Sequence, residues 1–579
     1  MVRDLDLISV QEVRSKVDKA YEAWQSYKSF SQERVDSIVE AVAAAGRAHA
    51  RRLAEMAVQE TGYGNVDDKL AKNMLCADLL PRSLRGMRTV GVLREIPEKR
   101  ITEIAVPVGV VAAILPTTNP TSTVFYKTII ALKSGNAIVL SPHPRAKACS
   151  CAAAAVMADA AVQAGAPDGI VQCINNSSVE GTNALMRHPK TGVILSTGGA
   201  GIVKAAYSSG KPAFGVGPGN VPVYLDKSYD VSAAIAAVIQ GKSFDYGTVC
   251  SSEQTLVADR SQRDAVLAAM KAGGAAVLND SQKAAVEATL FQGGTTVRAE
   301  CVGQSPQRIA ELAGFQVSPS IRILAAEIGG VGKEHPLFAE KLSPVLALLF
   351  VDGFEAGLDA CEQVLRFGGL GHTSGIYSND EARVRQFGLR MPSFRVLVNT
   401  PTPQGSVGIT TGVEPAMTLG CGAMAGNITS DNIGPLHLIN IKRIAWAIRT
   451  ADQAFAADLQ TAAVGAIPRA AVVAEVERYL ANVGIPATAS APDGTACGCA
   501  HASNIVGAPD TVLGSPLATR SSIHSSQNPW PPIVDFVSEK DVLAAVAEGG
   551  KIYIGPKTIV TPSARDLATR HDVLVLAQR

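Results

Sequence analysis

Four short segments carry residues that can do covalent or acid–base chemistry. In residues 241–253 (GKSFDYGTVCSSE), Cys250 lies in a polar, Gly-containing loop that leads into a strand. A cysteine thiolate is the best protein nucleophile for an aldehyde carbonyl. In 368–374 (GGLGHTS), His372 is flanked by glycines. Such a histidine can approach a ligand closely and act as a base near neutral pH. In 116–122 (PTTNPTS), Asn119 follows a buried strand and precedes a helix, the place where α/β enzymes bind ligands. A buried amide there can donate to a developing oxyanion. In 196–201 (STGGAG), a Gly-rich strand-to-helix turn can seat a pyrophosphate on backbone N–H groups, although it is not a clean GxGxxG. Taken singly, each segment has a plain structural reading as well: a turn at Asn-Pro, a tight glycine turn, an inert core thiol, a structural histidine.

The elements that must position these residues follow from periodicity. Residues 31–61 have helical apolar spacing (Val35, Ile38, Val39, Val42, Leu53), with Ser31 placed as N-cap. The polar, alternating stretch 94–104 predicts an exposed β-ribbon. Buried strands are predicted at 106–115 (interrupted by Pro107), 137–140 and 193–196, with helices at 123–133 and 146–164 between them. Strands alternating with helices predict a parallel, doubly wound α/β sheet. A second α/β stretch runs from about 221 to 426, and the pattern loosens near 454. Residues 485–532, rich in Pro, Ala, Ser, Thr and Gly, read as a linker. Regular structure returns with a strand at 551–554, a helix starting at Thr561-Pro562, and a last strand at 573–576. There is no internal repeat.

Composition sets the class. The 579 residues are 47% hydrophobic and 18% charged, enough for several domains with large cores. A net charge of +1 without a basic stripe argues against nucleic acid or an anionic membrane as partner. No charge-free apolar run is long enough to span a bilayer, and the N-terminus lacks the apolar core of a signal peptide. Ten cysteines spread thinly over the chain fit a reducing, cytoplasmic compartment.

Read in order, the segments make a family resemblance. Besides PTTNPTS there are LSPHPRAK at 140–147, TGGAGIVKAAYSSGKPAFGVGPGN at 197–220, SFDYGTVCSSEQ at 243–254, EKLSP at 340–344, GGLGHTS, LGCGAMAGN at 419–427 and GPLHLIN at 434–440. Over residues 31–451 the chain resembles the CoA-acylating branch of the aldehyde dehydrogenases, above all the aldehyde half of bifunctional aldehyde–alcohol dehydrogenases. The resemblance implies the α/β aldehyde dehydrogenase fold: a Rossmann-type nicotinamide domain over 1–220 with the ribbon near 93–105, a catalytic domain over 221–430, and a return segment for oligomerisation over 431–455. A helix plus linker (456–532) and a small α/β segment (533–579) would follow as an extension. It implies Cys250 as nucleophile, Asn119 as oxyanion-hole amide, His372 in acyl transfer and Glu340 in the site. It places the dinucleotide on Pro116, Thr117, Thr118, Ser141, His143, Pro144, Arg145, Thr197, Gly198, Gly199, Gly217 and Glu340. The resemblance favours NAD; residues 141–145 carry no carboxylate for a ribose 2′-hydroxyl, and Arg145 can tolerate a 2′-phosphate, so NADP stays open. CoA is the implied co-substrate, with a homodimer or homotetramer as the assembly.

Hydrolytic relatives carry a glutamate base upstream of the cysteine. The matching stretch here, 215–220 (GVGPGN), has no carboxylate. A missing base slows hydrolysis by ~10²–10⁴-fold. A thiol acceptor needs no such glutamate; a hydrolytic or a phosphorylating enzyme is the alternative. The Gly- and Thr-rich segment 404–417 is expected to line the pocket and to suit a small or polar aldehyde. After about 455 too few residues remain for the iron-dependent alcohol dehydrogenase half, and no metal-ligand histidine series is present. The helix expected at 467–480 puts Ile467, Val472, Val473, Val476, Tyr479 and Leu480 roughly along one face. It resembles the encapsulation peptides of bacterial microcompartment enzymes, which would make shell proteins its partner and a microcompartment its location; the alternative is docking on its own protein. The segment 559–568 (IVTPSARDLA) shares a short likeness with other microcompartment proteins. Cys497, Cys499 and His501 form a sparse pattern that falls short of a metal site.

Overall fold

A computed structural model describes residues 4–455, 469–482 and 534–576. The chain divides into two units, Met1–Ala466 and Ile467–Arg579. The first unit is built on three sheets. Strands β1 (Gly91–Ile96) and β2 (Ile101–Pro107) pair antiparallel as the expected ribbon. Next come β3 (Val110–Ile114), β4 (Ala137–Ser141), β5 (Val171–Cys173), β6 (Thr191–Thr197) and β7 (Ala213–Val216), a parallel sheet in the order β5-β4-β3-β6-β7. The apolar run 106–115 is therefore not one strand. Pro107 cannot donate to a ladder, and Gly109 at φ +113° turns the chain, so β2 stays in the ribbon and β3 starts the core sheet.

The third sheet holds β8 (Val221–Leu225), β9 (Glu253–Asp259), β10 (Ala275–Val277), β11 (Ile323–Glu327), β12 (Val345–Val351), β13 (Gly371–Tyr377) and β14 (Ser393–Val398). All are parallel, in the order β10-β11-β12-β9-β8-β13-β14. Finally β15 (Ile439–Ala445) returns to pair antiparallel with β2 and completes a three-stranded ribbon. Buried strands with helices on both faces explain the near-continuous Val, Ile, Leu and Ala runs.

The helix Gln32–Thr61 begins at Ser31, whose hydroxyl accepts from Arg34 N–H, and ends at Gly62 in the left-handed region. A helix that periodicity did not reveal, Leu5–Tyr27, packs on the same core through Val13, Val17 and Ala20, and Tyr27 donates to the Leu132 carbonyl at 3.1 Å. The helix Pro120–Lys133 is buried throughout. Its Lys127 Nζ donates to the carbonyls of Ile114 (2.6 Å), at the end of β3, and Leu195 (2.9 Å), within β6.

The site is positioned by strand order. From β3 the chain winds outward to β4 and β5, then crosses back so that β6 lies on the other side of β3. The loops after β3 and β6 diverge at that switch point and leave a crevice. Residues 217–220 then link the carboxyl end of β7 directly to the amino end of β8. The carboxyl edge of the first sheet thus meets the amino edge of the larger one.

In the second unit, β16 (Val534–Val537), β17 (Ile552–Val560) and β18 (Leu574–Leu576) form a parallel sheet with the helices Glu539–Ala547 and Pro562–His571. Thr561 caps the second helix and Pro562 opens it. Val537, Val542, Ala564, Ala568 and Val573 are its core. The helix Arg469–Asn482 is present, with Val472, Val473, Val476 and Tyr479 all exposed. The linker 485–532 and the Cys497/Cys499/His501 pattern lie outside the described residues.

Candidate active site

Three adjacent strands of the larger sheet start beside one another in the order β9, β8, β13. Cys250 lies just before β9, Gly219 just before β8, and His372 is the second residue of β13. Cys250 and His372 lie 122 positions apart in the chain, and sheet order brings them together. His372 Nε2 is 3.2 Å from Cys250 Sγ, and Nδ1 is 2.9 Å from Thr373 Oγ1. In the tautomer whose Nδ1–H donates to that hydroxyl, Nε2 is free to accept the thiol proton. A Cβ on Gly219 would lie 2.1 Å from the Cys250 carbonyl oxygen and 3.3 Å from His372 Cδ2, so only glycine lets the three chains meet.

Both groups of the pair are neutral near pH 7. Burial pushes the Cys250 thiol up to about 12, with Glu340 adding to it and Arg395 opposing. Burial, then the Arg395 cation, lowers His372 to about 3. The pair therefore stands as thiol and imidazole, and the proton must cross as the sulfur attacks.

Asn119 occupies the N-cap position of Pro120–Lys133, yet its side chain does not cap the helix. Lys72 Nζ donates to Asn119 Oδ1 at 2.6 Å instead. That bond fixes the amide so that Nδ2 is its donor end, with Thr118 Oγ1 at 3.0 Å. Lys72 is itself held by Asp245, which also binds Lys69 at 3.0 Å and Thr248 Oγ1 at 2.7 Å. All three charged side chains are buried. Asp245 sits at φ +46°, and its carboxylate packs where any side chain on Gly64 would stand, 1.7 Å from that Cβ position. Burial pushes its carboxyl up, but the two ammoniums outweigh this and hold it below the usual carboxylate range. Burial brings Lys72 down to about 8 against the pull of Asp245.

A cavity of about 740 Å³ opens where the two sheets meet. Pro116, Thr117, Thr118, Asn119, Ser141, His143, Pro144, Thr197, Gly198, Gly199, Gly217, Cys250 and Glu340 all line it. Two expected residues do not. His372 is fully buried behind Cys250, and Arg145 is exposed outside the wall, its N–H bonded to His143 Nδ1 at 3.1 Å. Of the segment 404–417, Val407 and Met417 reach the cavity. The lining suits a dinucleotide: a Cβ on Gly199 or Gly217 would meet nothing within 4 Å, and Ser177 Oγ is buried without a partner among the described residues.

Periodicity and motif spacing did not point to Lys72, Gly219 or Arg395. Lysines in a helix read as a solvated face, and a contact between residues 72 and 245 leaves no local trace. Glu340 reaches the carboxylate-free stretch from elsewhere in the chain: its Oε1 accepts from Gly219 N–H at 3.1 Å. Burial raises its carboxyl to about 8. A carboxyl that keeps its proton in the folded state above its unfolded value of 4.5 supports folding below that value, and the support is lost as pH rises through 8. Glu340→Gln keeps the hydrogen bond and removes the ionisation. The melting temperature of the variant is expected to rise relative to wild type between pH 5 and pH 8.5; a pH-independent difference would show that Glu340 ionises freely.

A twin α/β frame thus places a thiol, an imidazole and an amide at the junction of two parallel sheets, beside a crevice large enough for a dinucleotide. The profile of the aldehyde dehydrogenase family matches residues 2–415, and the chain belongs to that family. It is 43% identical over 442 residues to the bifunctional aldehyde-alcohol dehydrogenase AdhE of Escherichia coli K12, a match covering 76% of this chain and 50% of that protein. The chain thus spans about half the length of that curated relative. An acetylating aldehyde dehydrogenase from Geobacillus thermoglucosidasius superposes with a TM-score of 0.77 at 48% identity, covering 78% of this chain and 99% of the other. A propionaldehyde dehydrogenase from the fucose utilisation bacterial microcompartment of Clostridium phytofermentans superposes with a TM-score of 0.69 at 25% identity, covering 76% and 98%.

Proposed function

We propose that the chain is a CoA-acylating aldehyde dehydrogenase, converting a short aldehyde, CoA and a nicotinamide dinucleotide to acyl-CoA and the reduced dinucleotide. The observation that carries this is the thiol of Cys250, opening on the crevice and hydrogen-bonded at 3.2 Å to a neutral imidazole. The Asn119 amide, pinned by Lys72, stands on the same wall.

Cys250 Sγ adds to the aldehyde carbon as His372 Nε2 takes the thiol proton. The Asn119 amide and the Cys250 backbone N–H stabilise the oxyanion of the thiohemiacetal. A dinucleotide held by the walls of the crevice supplies the hydride acceptor. Loss of hydride leaves a thioester on Cys250 Sγ. His372 gives its first proton to solvent, takes that of the CoA thiol as the CoA sulfur attacks the thioester, and returns it to the departing sulfur of Cys250, which restores the thiol and the imidazole. Residues 215–220 carry no base to activate water, and Glu340, the carboxyl that touches them, holds its proton near neutral pH. Acyl transfer to a thiol is the outcome this favours over hydrolysis.

The test is reduced-dinucleotide formation across a panel of short aldehydes, with NAD and with NADP, in the presence and absence of CoA. Strict CoA dependence supports the reading; equal rates without CoA make the enzyme hydrolytic. NAD is the dinucleotide favoured here, and the exposed Arg145 leaves room for the 2′-phosphate of NADP. His372→Ala is expected to slow CoA-dependent turnover by ~10²–10⁴-fold. The pre-steady-state hydride burst should fall less, because water can accept the thiol proton in that half. A burst lost as completely as turnover would confine His372 to the first half.

For assembly, we read the apolar edge of the ribbon as a self-association surface that makes a homodimer or homotetramer: Ile441, Ile444, Trp446 and Ile448 are exposed along it. For location, the exposed apolar side chains of Arg469–Asn482 support a helix that engages microcompartment shell proteins. Removing residues 456–579 should leave turnover intact and abolish co-purification with shell proteins; retained co-purification rejects the helix as the signal.

A further inference from the structure

The described residues hold one pair of thiols in mutual contact, and it lies away from Cys250. Cys151 is in the first turns of the helix Lys147–Gln163, and Cys173 ends the edge strand β5. Their sulfurs are 3.1 Å apart, and both face the carbonyl of Ile174. Both residues are half-buried.

The pair sits at the root of the crevice wall. Cys173 runs directly into residues 174–178, and Ser177 and Ser178 line the cavity. That loop is braced from behind by Glu12, whose carboxylate accepts from the backbone N–H groups of Asn175 (2.8 Å) and Asn176 (2.9 Å). Cys151 follows the loop after β4 that contributes His143 and Pro144 to the same wall. A bond between the two sulfurs would tie together the two loops that close this end of the cavity.

We propose that Cys151 and Cys173 are a reversible disulfide-forming site, oxidised by hydrogen peroxide or a small hydroperoxide, that acts on the dinucleotide end of the crevice. Cys151 attacks one peroxide oxygen, the O–O bond breaks and hydroxide leaves as water, giving a sulfenic acid on Cys151. The sulfur of Cys173 then displaces the hydroxyl of that sulfenic acid; the Cys173 proton leaves with it as a second water. Two thiols lose two electrons, and one peroxide is reduced to two waters. An approach of about 1 Å separates the present contact from a covalent S–S bond.

Electrostatics agree with this division of labour. The hydrogen bond from Cys173 lowers the Cys151 thiol below its ordinary value, with Lys147 and Lys16 assisting, against burial and Glu12. Cys173 is raised by the same contact and by burial, as a donor and resolving thiol would be. Cys250, pushed up to about 12, is the poorer target for peroxide in the free enzyme.

The experiment treats the full-length protein with a slight excess of hydrogen peroxide, blocks free thiols with iodoacetamide, and cleaves on the N-terminal side of aspartate. Asp159 and Asp168 separate the two cysteines in sequence, so a bond between them appears as two joined peptides that dithiothreitol releases. The expected result is the joined Cys151–Cys173 peptide, with Cys250 still alkylated. Alkylation of both cysteines, or joining of either to another cysteine, overturns the proposal. Mapping needs no turnover, so its outcome stands apart from the activity assigned above. The KM for the dinucleotide is expected to rise severalfold in the crosslinked wild type and to stay unchanged in peroxide-treated Cys151→Ser and Cys173→Ser. An unchanged KM in fully crosslinked protein removes the link to the crevice.

Discussion

Cys250→Ala protein is expected to form no reduced dinucleotide from aldehyde and CoA, a loss of ~10⁴-fold or more against wild type. The substitution removes the atom that forms the acyl intermediate, and no other described cysteine lines the cavity. Refolding is not the explanation to expect. Gly219 packs on the carbonyl oxygen of Cys250, so the backbone contacts survive removal of the thiol. The measurement is steady-state turnover beside near-ultraviolet circular dichroism and a dinucleotide titration. A folded variant that binds dinucleotide without turning over supports the assignment. Turnover within tenfold of wild type would reject Cys250 as the nucleophile.

The second large effect is expected at a residue that touches no reacting atom. Lys72→Met should lower kcat by ~10²–10³-fold, the range for losing one oxyanion donor. The reason is geometric. Lys72 holds Asn119 Oδ1, and without it the amide can rotate and present its oxygen, or return to the helix N-terminus it would ordinarily cap. Lys72 is a positioning residue in this account, so its loss and that of the Asn119 amide remove one interaction, not two. The Lys72→Met/Asn119→Ala double variant should be hardly worse than either single variant. Removing one partner of a buried pair also destabilises the fold, by ~3–5 kcal/mol where compensation is poor, although Lys69 remains on Asp245. Melting curves separate that cost from the catalytic one. Additive losses in the cycle would show that Lys72 works through stability alone.

What could be read from the sequence had a local signature. The helix after Ser31, the ribbon, the helix after Thr561 and the alternating strands all announce themselves through caps or periods. The motif segments keep their order along the chain, and six of the eight contribute residues to one cavity. Reading failed where the signature was shared or absent. The run 106–115 is equally apolar on both sides of a sheet change, and only Pro107 and Gly109 mark the break. The helix Leu5–Tyr27 buries Ser9, Ala20 and Ala23 beside its two valines, too small a stripe to stand out. The Lys72–Asp245–Asn119 connection exists only after the helix Val66–Met74, the loop before β9 and the loop after β3 have been brought together.

The junction of the two sheets also separates what selection can change. The loops after β3, β4, β5 and β6 build one wall of the cavity from the first sheet. The thiol and its histidine belong to the second, and Val407, Met417 and Leu419 enter from a third, later segment. On the function proposed above, substitutions in that late segment would re-shape the space offered to an aldehyde while leaving cofactor seating and proton transfer untouched. The walls of the cavity come from separable stretches of chain, so one short stretch can vary without disturbing the others.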